Sequence, residues 1–186
     1  MSGAIPAREL EIEVGESVGA VSGLLLRPPS AWAMLAFAHG AGAGMRHAFM
    51  ERAAAALAER GIATLRYMFP YAEQGARRPD PPGVLQATVR AAVTRARGDS
   101  DGLLLLAGGK SLGGRMTSGA AAARPLEGVA GIVFFGFPLH PARQPAATRA
   151  DHLAAVTIPM LFLQGTRDDL ADLGLITEVT GRLGSR

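Results

Sequence analysis

The sequence contains no cysteine, one lysine and one tryptophan, and only 5% of its residues are aromatic. Zero cysteines exclude a disulfide framework and fit a reducing compartment. Long apolar runs are missing too. The longest, Gly128 to Leu139, has 12 residues, short of the roughly 18 that a membrane span requires. The N-terminus MSGAIPAREL lacks a basic start followed by an apolar run, so no secretory signal is expected and the cytoplasm is the expected location. Clustered charge is the last absence. Of 19 basic residues 18 are arginine, dispersed from Arg8 to Arg186, with Arg77-Arg78 the sole adjacent pair and a net charge of +3. That footprint does not predict a nucleic-acid partner. With 35 alanines and 24 glycines, the arginine bias reads as coding bias.

What is present suits one globular domain. The 186 residues are 48% apolar, enough for a sizeable core in a single domain spanning 1–186. Leu10–Val14 and Val21–Leu26 read as strands, the first alternating with period two. Ala33–Ala38, Ile62–Arg66, Leu103–Ala107, Val129–Phe135 and Pro159–Gln164 are short apolar strands. Ala48–Arg60, Val84–Arg97 and Leu112–Ala123 read as helices, the first two stopped by Gly61 and Gly98. Residues 67–82 hold four prolines and are expected to be irregular. Buried strands alternating with helices predict an α/β fold: a mostly parallel sheet covered on both faces, with an antiparallel N-terminal edge. Ligands of such sheets bind beyond the carboxyl ends of the strands.

Three segments after strands carry chemistry. Gly109-Lys110-Ser111-Leu112-Gly113 is a G-x-S-x-G sequence between a buried strand and a small-residue helix. A serine there can occupy a strained turn that lifts its hydroxyl above the sheet, and the N–H of Leu112 would face a developing oxyanion. The GKS also resembles the end of a phosphate-binding Walker A motif. That motif requires glycine five residues before the GK pair, where this chain has Leu104. The second segment is His39-Gly40-Ala41-Gly42-Ala43-Gly44. Its backbone can approach a ligand closely, and the N–H of Ala41 is the candidate second oxyanion donor. A dinucleotide turn is the competing reading, but Met45 stands where Gly or Ala is expected and Leu65-Arg66 offers no acid. The third segment, Gly165 to Leu170, contains Asp168, which could orient a histidine or cap a helix. Asp169 and Asp172 are expected to be exposed first-turn residues.

HGAGAGM, the FPY at Phe69–Tyr71, GGKSLGGR, FFGFPLHP and LQGTRDDL, in this order from about Leu24 to Leu170, resemble the small dienelactone-hydrolase-like proteins of the α/β-hydrolase fold. That group includes predicted bacterial hydrolases and a subunit of the eukaryotic non-specific-lethal histone-acetyltransferase complex. The resemblance implies Ser111 as nucleophile, Asp168 as acid, and Leu112 with Ala41 as oxyanion donors. True dienelactone hydrolases have cysteine at the position of Ser111, so their substrate does not carry over.

One member of the set is missing. The fold's triad runs serine, acid, histidine, yet His39, His47, His140 and His152 all precede Asp168. A further helix of about 11 residues, a loop of about 4 and a strand of about 5 would be needed to return to the site. On this reading the domain is C-terminally incomplete, lacking its last strand, or the protein is not a complete hydrolase. His39 is expected to brace its loop, while His47 and His152 are expected to be solvated. His39, Gly40, His140 and Tyr71 are expected to line a pocket walled by the loops 67–82 and 137–149, without a lid domain. The expected function is serine-dependent acyl transfer from a small ester or thioester, with no metal, cofactor, nucleic acid or membrane involved. The competing class is a non-catalytic interaction scaffold, and nucleotide binding is a weaker third. A bare sheet edge would favour homo-oligomers.

Overall fold

Arg8–Gly15 (β1) and Gly19–Leu26 (β2) form an antiparallel pair at one end of the sheet, in a computed structural model that describes residues 5–184. One face of the pair is wet: Ile12 and Val21 are buried, while Glu9, Glu11 and Glu13 are not. Ala33–Ala38 (β3), buried at every position, begins the parallel part. The single tryptophan, Trp32, precedes it, half exposed, with its indole N–H donating to the Arg60 carbonyl at 2.9 Å.

The helix Ala48–Ala58 (α1) starts where the His47 ring accepts the Phe49 N–H. It stops two residues short of Arg60 because Gly61, at φ 72°, closes the turn into Ile62–Tyr67 (β4). Residues 67–82 are not wholly irregular. Pro70 opens a short helix, Pro70–Glu73 (α2), and Pro82 opens Pro82–Asp99 (α3); proline in a first turn forfeits no hydrogen bond. Gly98 does not end α3, which continues to Asp99 before Ser100 caps it. The next strand, Leu104–Lys110 (β5), runs three residues beyond Ala107 and includes Gly108 and Gly109.

Leu112–Ala123 (α4) matches the expected limits. Gly131–Phe135 (β6) starts late because Gly128 turns at φ 79° and the Val129 N–H closes onto Leu126. A 3₁₀ helix, Thr148–Ala155, has no counterpart among the expected elements. Met160–Leu163 (β7) and Leu173–Leu183 (α5) complete the described elements.

The strand order is β1-β2-β4-β3-β5-β6-β7, with β1–β2 and β2–β4 antiparallel and every other pair parallel. The main core lies where α3 and α4 pack on the sheet, with Leu85, Val89, Met116, Ile132 and Phe134 buried among its members. On the opposite face α1 covers Leu35 and Phe37 of β3 through Met50. Farther along that face Leu104, Leu161 and Leu163 are 45%, 53% and 47% exposed. β5 and β7 are therefore not buried on both faces.

Candidate active site

At the carboxyl end of β5 the backbone of Ser111 takes φ 49° and ψ −113°, a region in which a side chain costs of order 1–3 kcal/mol. The surroundings hold it there. The Ser111 N–H donates to the carbonyls of Phe135 and Gly136 at 3.3 and 3.1 Å, and its own carbonyl receives the Arg115 N–H at 3.1 Å. The glycines on either side are sterically required. A Cβ on Gly109 or Gly113 would stand 2.6 Å from the Ala38 carbonyl oxygen, and one on Gly108 would stand 2.0 Å from that of Val133. Ser111 is half-buried and Leu112 is buried. As the first residue of α4, Leu112 has an N–H without an intrahelical partner.

The glycine loop lies beside this turn. A Cβ on Gly40 would come 3.7 Å from that of Ser111, while Gly42 adopts φ 69° and the Ala43 N–H closes onto Gly40 at 3.3 Å. Among the described residues the N–H of Ala41, an exposed residue, takes part in none of the turn hydrogen bonds. Two side chains steady the loop from beneath. Arg66, 3% exposed, donates from Nη1 to the Met45 carbonyl at 3.0 Å, and the sulfur of Met68 accepts the Met45 N–H at 3.3 Å. Burial depresses the Arg66 pKa, against the attraction of Glu51.

Asp168 arrives from the other side. Gly136, at φ 74°, gives its N–H to Leu163 at the end of β7 and its carbonyl to Ser111. A Cβ there would stand 3.3 Å from Asp168 Oδ2, so one glycine separates the serine backbone from the carboxylate. Asp168 does not cap α5. Its Oδ1 accepts the Leu170 N–H at 2.9 Å, and the helix is capped by Asp172, which accepts the Leu175 N–H at 3.0 Å.

A strand–serine–helix turn, an adjoining glycine loop and an acid after a later strand coincide with a sequence match. Residues 31–183 fit the pattern of the alpha/beta hydrolase domain. The chain belongs to this family.

Solved structures agree on the fold of this α/β-hydrolase domain. A lidless α/β serine hydrolase from Xanthomonas campestris is 23% identical, with 98% of this chain and 81% of that one covered at a TM-score of 0.75. A dienelactone hydrolase from Anabaena variabilis is 24% identical over 97% and 81%, with a TM-score of 0.74. An esterase from Pyrococcus furiosus is 14% identical over 97% and 77%, with a TM-score of 0.76. No curated protein matches the chain in sequence.

In this α/β-hydrolase domain every histidine already has a structural task. His39 is fully buried, with Nδ1 2.8 Å from the Gly40 carbonyl and Nε2 accepting the Phe69 N–H at 3.1 Å. That pairing puts its proton on Nδ1, and burial lowers its pKa. His140 repeats the pattern, with Nδ1 2.8 Å from the Pro141 carbonyl and Nε2 accepting the Asp172 N–H at 2.9 Å. His47 caps α1 and is exposed. His152 is not solvated as expected. It is half-buried, its Nε2 shares a 2.8 Å hydrogen bond with Ser118 Oγ, and burial followed by nearby Arg115 lowers its pKa. Tyr71 is buried behind the glycine loop, 6.0 Å from the His39 ring, and does not line an open surface. Burial raises the pKa of its phenol, opposed by a contact with the Gly42 backbone.

Gln164 is the residue that the motifs did not single out. Its Nε2 donates to Asp168 Oδ2 at 2.8 Å while its Oε1 accepts the Phe137 N–H at 2.7 Å. Its place at the strand end in LQGTRDDL was the available signal. Among the described residues no cluster of His, Asp and Glu could hold a metal, and no helix is long and apolar enough to cross a membrane.

Proposed function

We propose that this domain performs serine-dependent acyl transfer on a small ester or thioester. Ser111 Oγ attacks the substrate carbonyl, and a histidine oriented by Asp168 takes the hydroxyl proton. The N–H groups of Leu112 and Ala41 receive the oxygen that becomes negative. Collapse of the tetrahedral species breaks the bond to the alcohol or thiol, which leaves with that proton. Water then repeats the sequence on the acyl-serine and releases the acid. One observation supports the reading above the others: Ser111 holds a positive φ at a strand–helix turn, the kind of backbone strain that clusters at functional sites.

His39 and His140 have both ring nitrogens engaged, and His47 and His152 are held at a helix start and at Ser118. The reading therefore assigns the base to none of these four as they are now held. It also assigns the protein to the cytoplasm, from the cysteine-free composition, and self-association to the β7 edge, where Leu161 and Leu163 are exposed.

The test is labelling by a fluorophosphonate with and without added imidazole, located by peptide mass spectrometry. Labelling at Ser111, faster with imidazole and lost in Ser111→Ala, is expected. No labelling of Ser111 under either condition overturns the reading and leaves the interaction-scaffold alternative.

A further inference from the structure

The loop that follows β6 and the turn that carries Asp168 are joined along their length. The Gly136 N–H donates to the Leu163 carbonyl at 2.9 Å, and the His140 N–H to that of Leu170 at 3.0 Å. The Asp172 N–H returns to His140 Nε2 at 2.9 Å. Among these bonds stands Gln164, whose Oε1 takes the Phe137 N–H and whose Nε2 reaches Asp168 Oδ2. An N–H on one side and a carboxylate on the other leave the amide a single orientation.

The requirement at position 164 is therefore narrow. Its side chain must accept at one end and donate at the other. Ionised glutamate lacks the donor, and lysine and arginine lack the acceptor. Being neutral, the amide also aims Asp168 without cancelling its charge. Among the described residues Asp168 forms no ion pair, and its chain neighbours Arg167 and Asp169 are exposed. The bonds from the Leu170 N–H to Oδ1 and from Gln164 to Oδ2 leave about half of the carboxylate's lone-pair sites unused. Gly136 has no side chain to fill the space beside Oδ2, where a Cβ would stand at 3.3 Å, and its carbonyl holds the Ser111 N–H.

We propose that Gln164 is a positioning residue for the acyl transfer, fixing the Asp168 carboxylate so that its unused lone pairs meet the N–H of an imidazole base. The effect on the reaction rests on the acyl-transfer reading; the orientation of the carboxylate does not.

Gln164→Glu isolates this role, because its carboxylate still accepts the Phe137 N–H while the donor to Asp168 is lost. Two carboxyl groups held so close share one proton. Carbon-13 NMR of Asp168, with imidazole as the probe, reads the orientation without any reaction. At pH 8 imidazole is expected to shift the Asp168 carboxyl signal saturably in the native chain and not in Gln164→Glu, whose carboxyl pair keeps a proton well above the ordinary carboxylate range. Independent titration of the two carboxyls, an equal imidazole response, or no response in the native chain overturns the proposal.

Melting temperatures keep the test open if the variant folds poorly. A proton held more tightly by the folded chain stabilises it only below the folded-state pKa. The melting temperature of Gln164→Glu should therefore fall relative to the native chain between pH 5 and 8, and parallel curves overturn the shared proton. Fluorophosphonate labelling of Ser111 with imidazole present then reads the reaction. The variant should be about tenfold slower than the native chain at pH 8, and the gap should close as the introduced carboxyl regains its proton at lower pH. A ratio that does not change with pH confines Gln164 to a structural part and overturns the proposal. No labelling of Ser111 in the native chain, with the NMR result as expected, removes the acyl-transfer reading and leaves Gln164 as the residue that orients Asp168.

Discussion

Gln164 binds Asp168 and the Phe137 backbone at once, through opposite ends of one amide, at 2.8 and 2.7 Å. The acid is therefore tied to the loop that follows β6 as well as to its own turn. Gln164→Leu keeps the volume and removes both bonds, leaving the Phe137 N–H unpaired beside a fully buried ring. A loss of about 1–3 kcal/mol is expected. For a chain of this size that lowers the melting temperature by roughly 2–10 °C, and an unchanged midpoint in calorimetry would count against the tie.

Strain at Ser111 makes a prediction of opposite sign. Glycine adopts φ 49°, ψ −113° with little penalty, so Ser111→Gly should raise the melting temperature by about 2–4 °C, from about 1 kcal/mol recovered. Fluorophosphonate labelling should vanish in the same variant. Gain in stability with loss of reactivity is the signature sought, and a destabilised Ser111→Gly would contradict it.

Glycines in helices should divide sharply. A Cβ on Gly113 meets the Ala38 and His39 carbonyl oxygens at 2.6 Å, whereas one on Gly181 of α5 meets nothing within 4 Å. Gly113→Ala is expected to destabilise by more than 2 kcal/mol as the turn is forced off β3. Gly181→Ala should stabilise by about 0.5–1 kcal/mol. Urea midpoints of the two variants, measured side by side, decide the matter.

Acid should weaken the fold through its buried histidines. Burial keeps the folded-state pKa values of His39 and His152 below the ordinary value of 6.5. The unfolded chain thus binds protons at a higher pH than the folded one, so stability rises with pH across that interval. The contribution is complete above roughly pH 6.5 and is lost as the pH falls through the folded-state values. Melting temperatures from pH 8 to 5 should drop over that window, and His39→Gln should flatten the drop.

Much of the candidate site's geometry was legible because it depends on local backbone. Gly109 to Gly113 shows both the turn and the close approach, and the spacing from strand end to Asp168 is short. Other features depend on what packs nearby. Gly108 and Gly109 read as a turn, yet they belong to β5, where the nearby Val133 and Ala38 carbonyls leave no room for a side chain. Pro70 reads as a breaker but sits in a first turn. A 3₁₀ helix such as Thr148–Ala155 lacks the 3.6-residue period by which helices are found. The exposure of Leu161 and Leu163 reflects the absence of a covering element among the described residues, which an apolar strand sequence cannot reveal.

Trp32 stands just before β3, at the amino ends of the parallel strands, whereas Ser111 follows the carboxyl end of β5. Six strand residues at about 3.3 Å each put roughly 20 Å between them. As the only indole in the chain, held by the Arg60 carbonyl, it makes the protein's intrinsic emission a report on the floor of the sheet. Ligands arriving at the opposite rim should leave that emission unchanged, so unfolding can be followed optically while the site is empty, occupied or acylated.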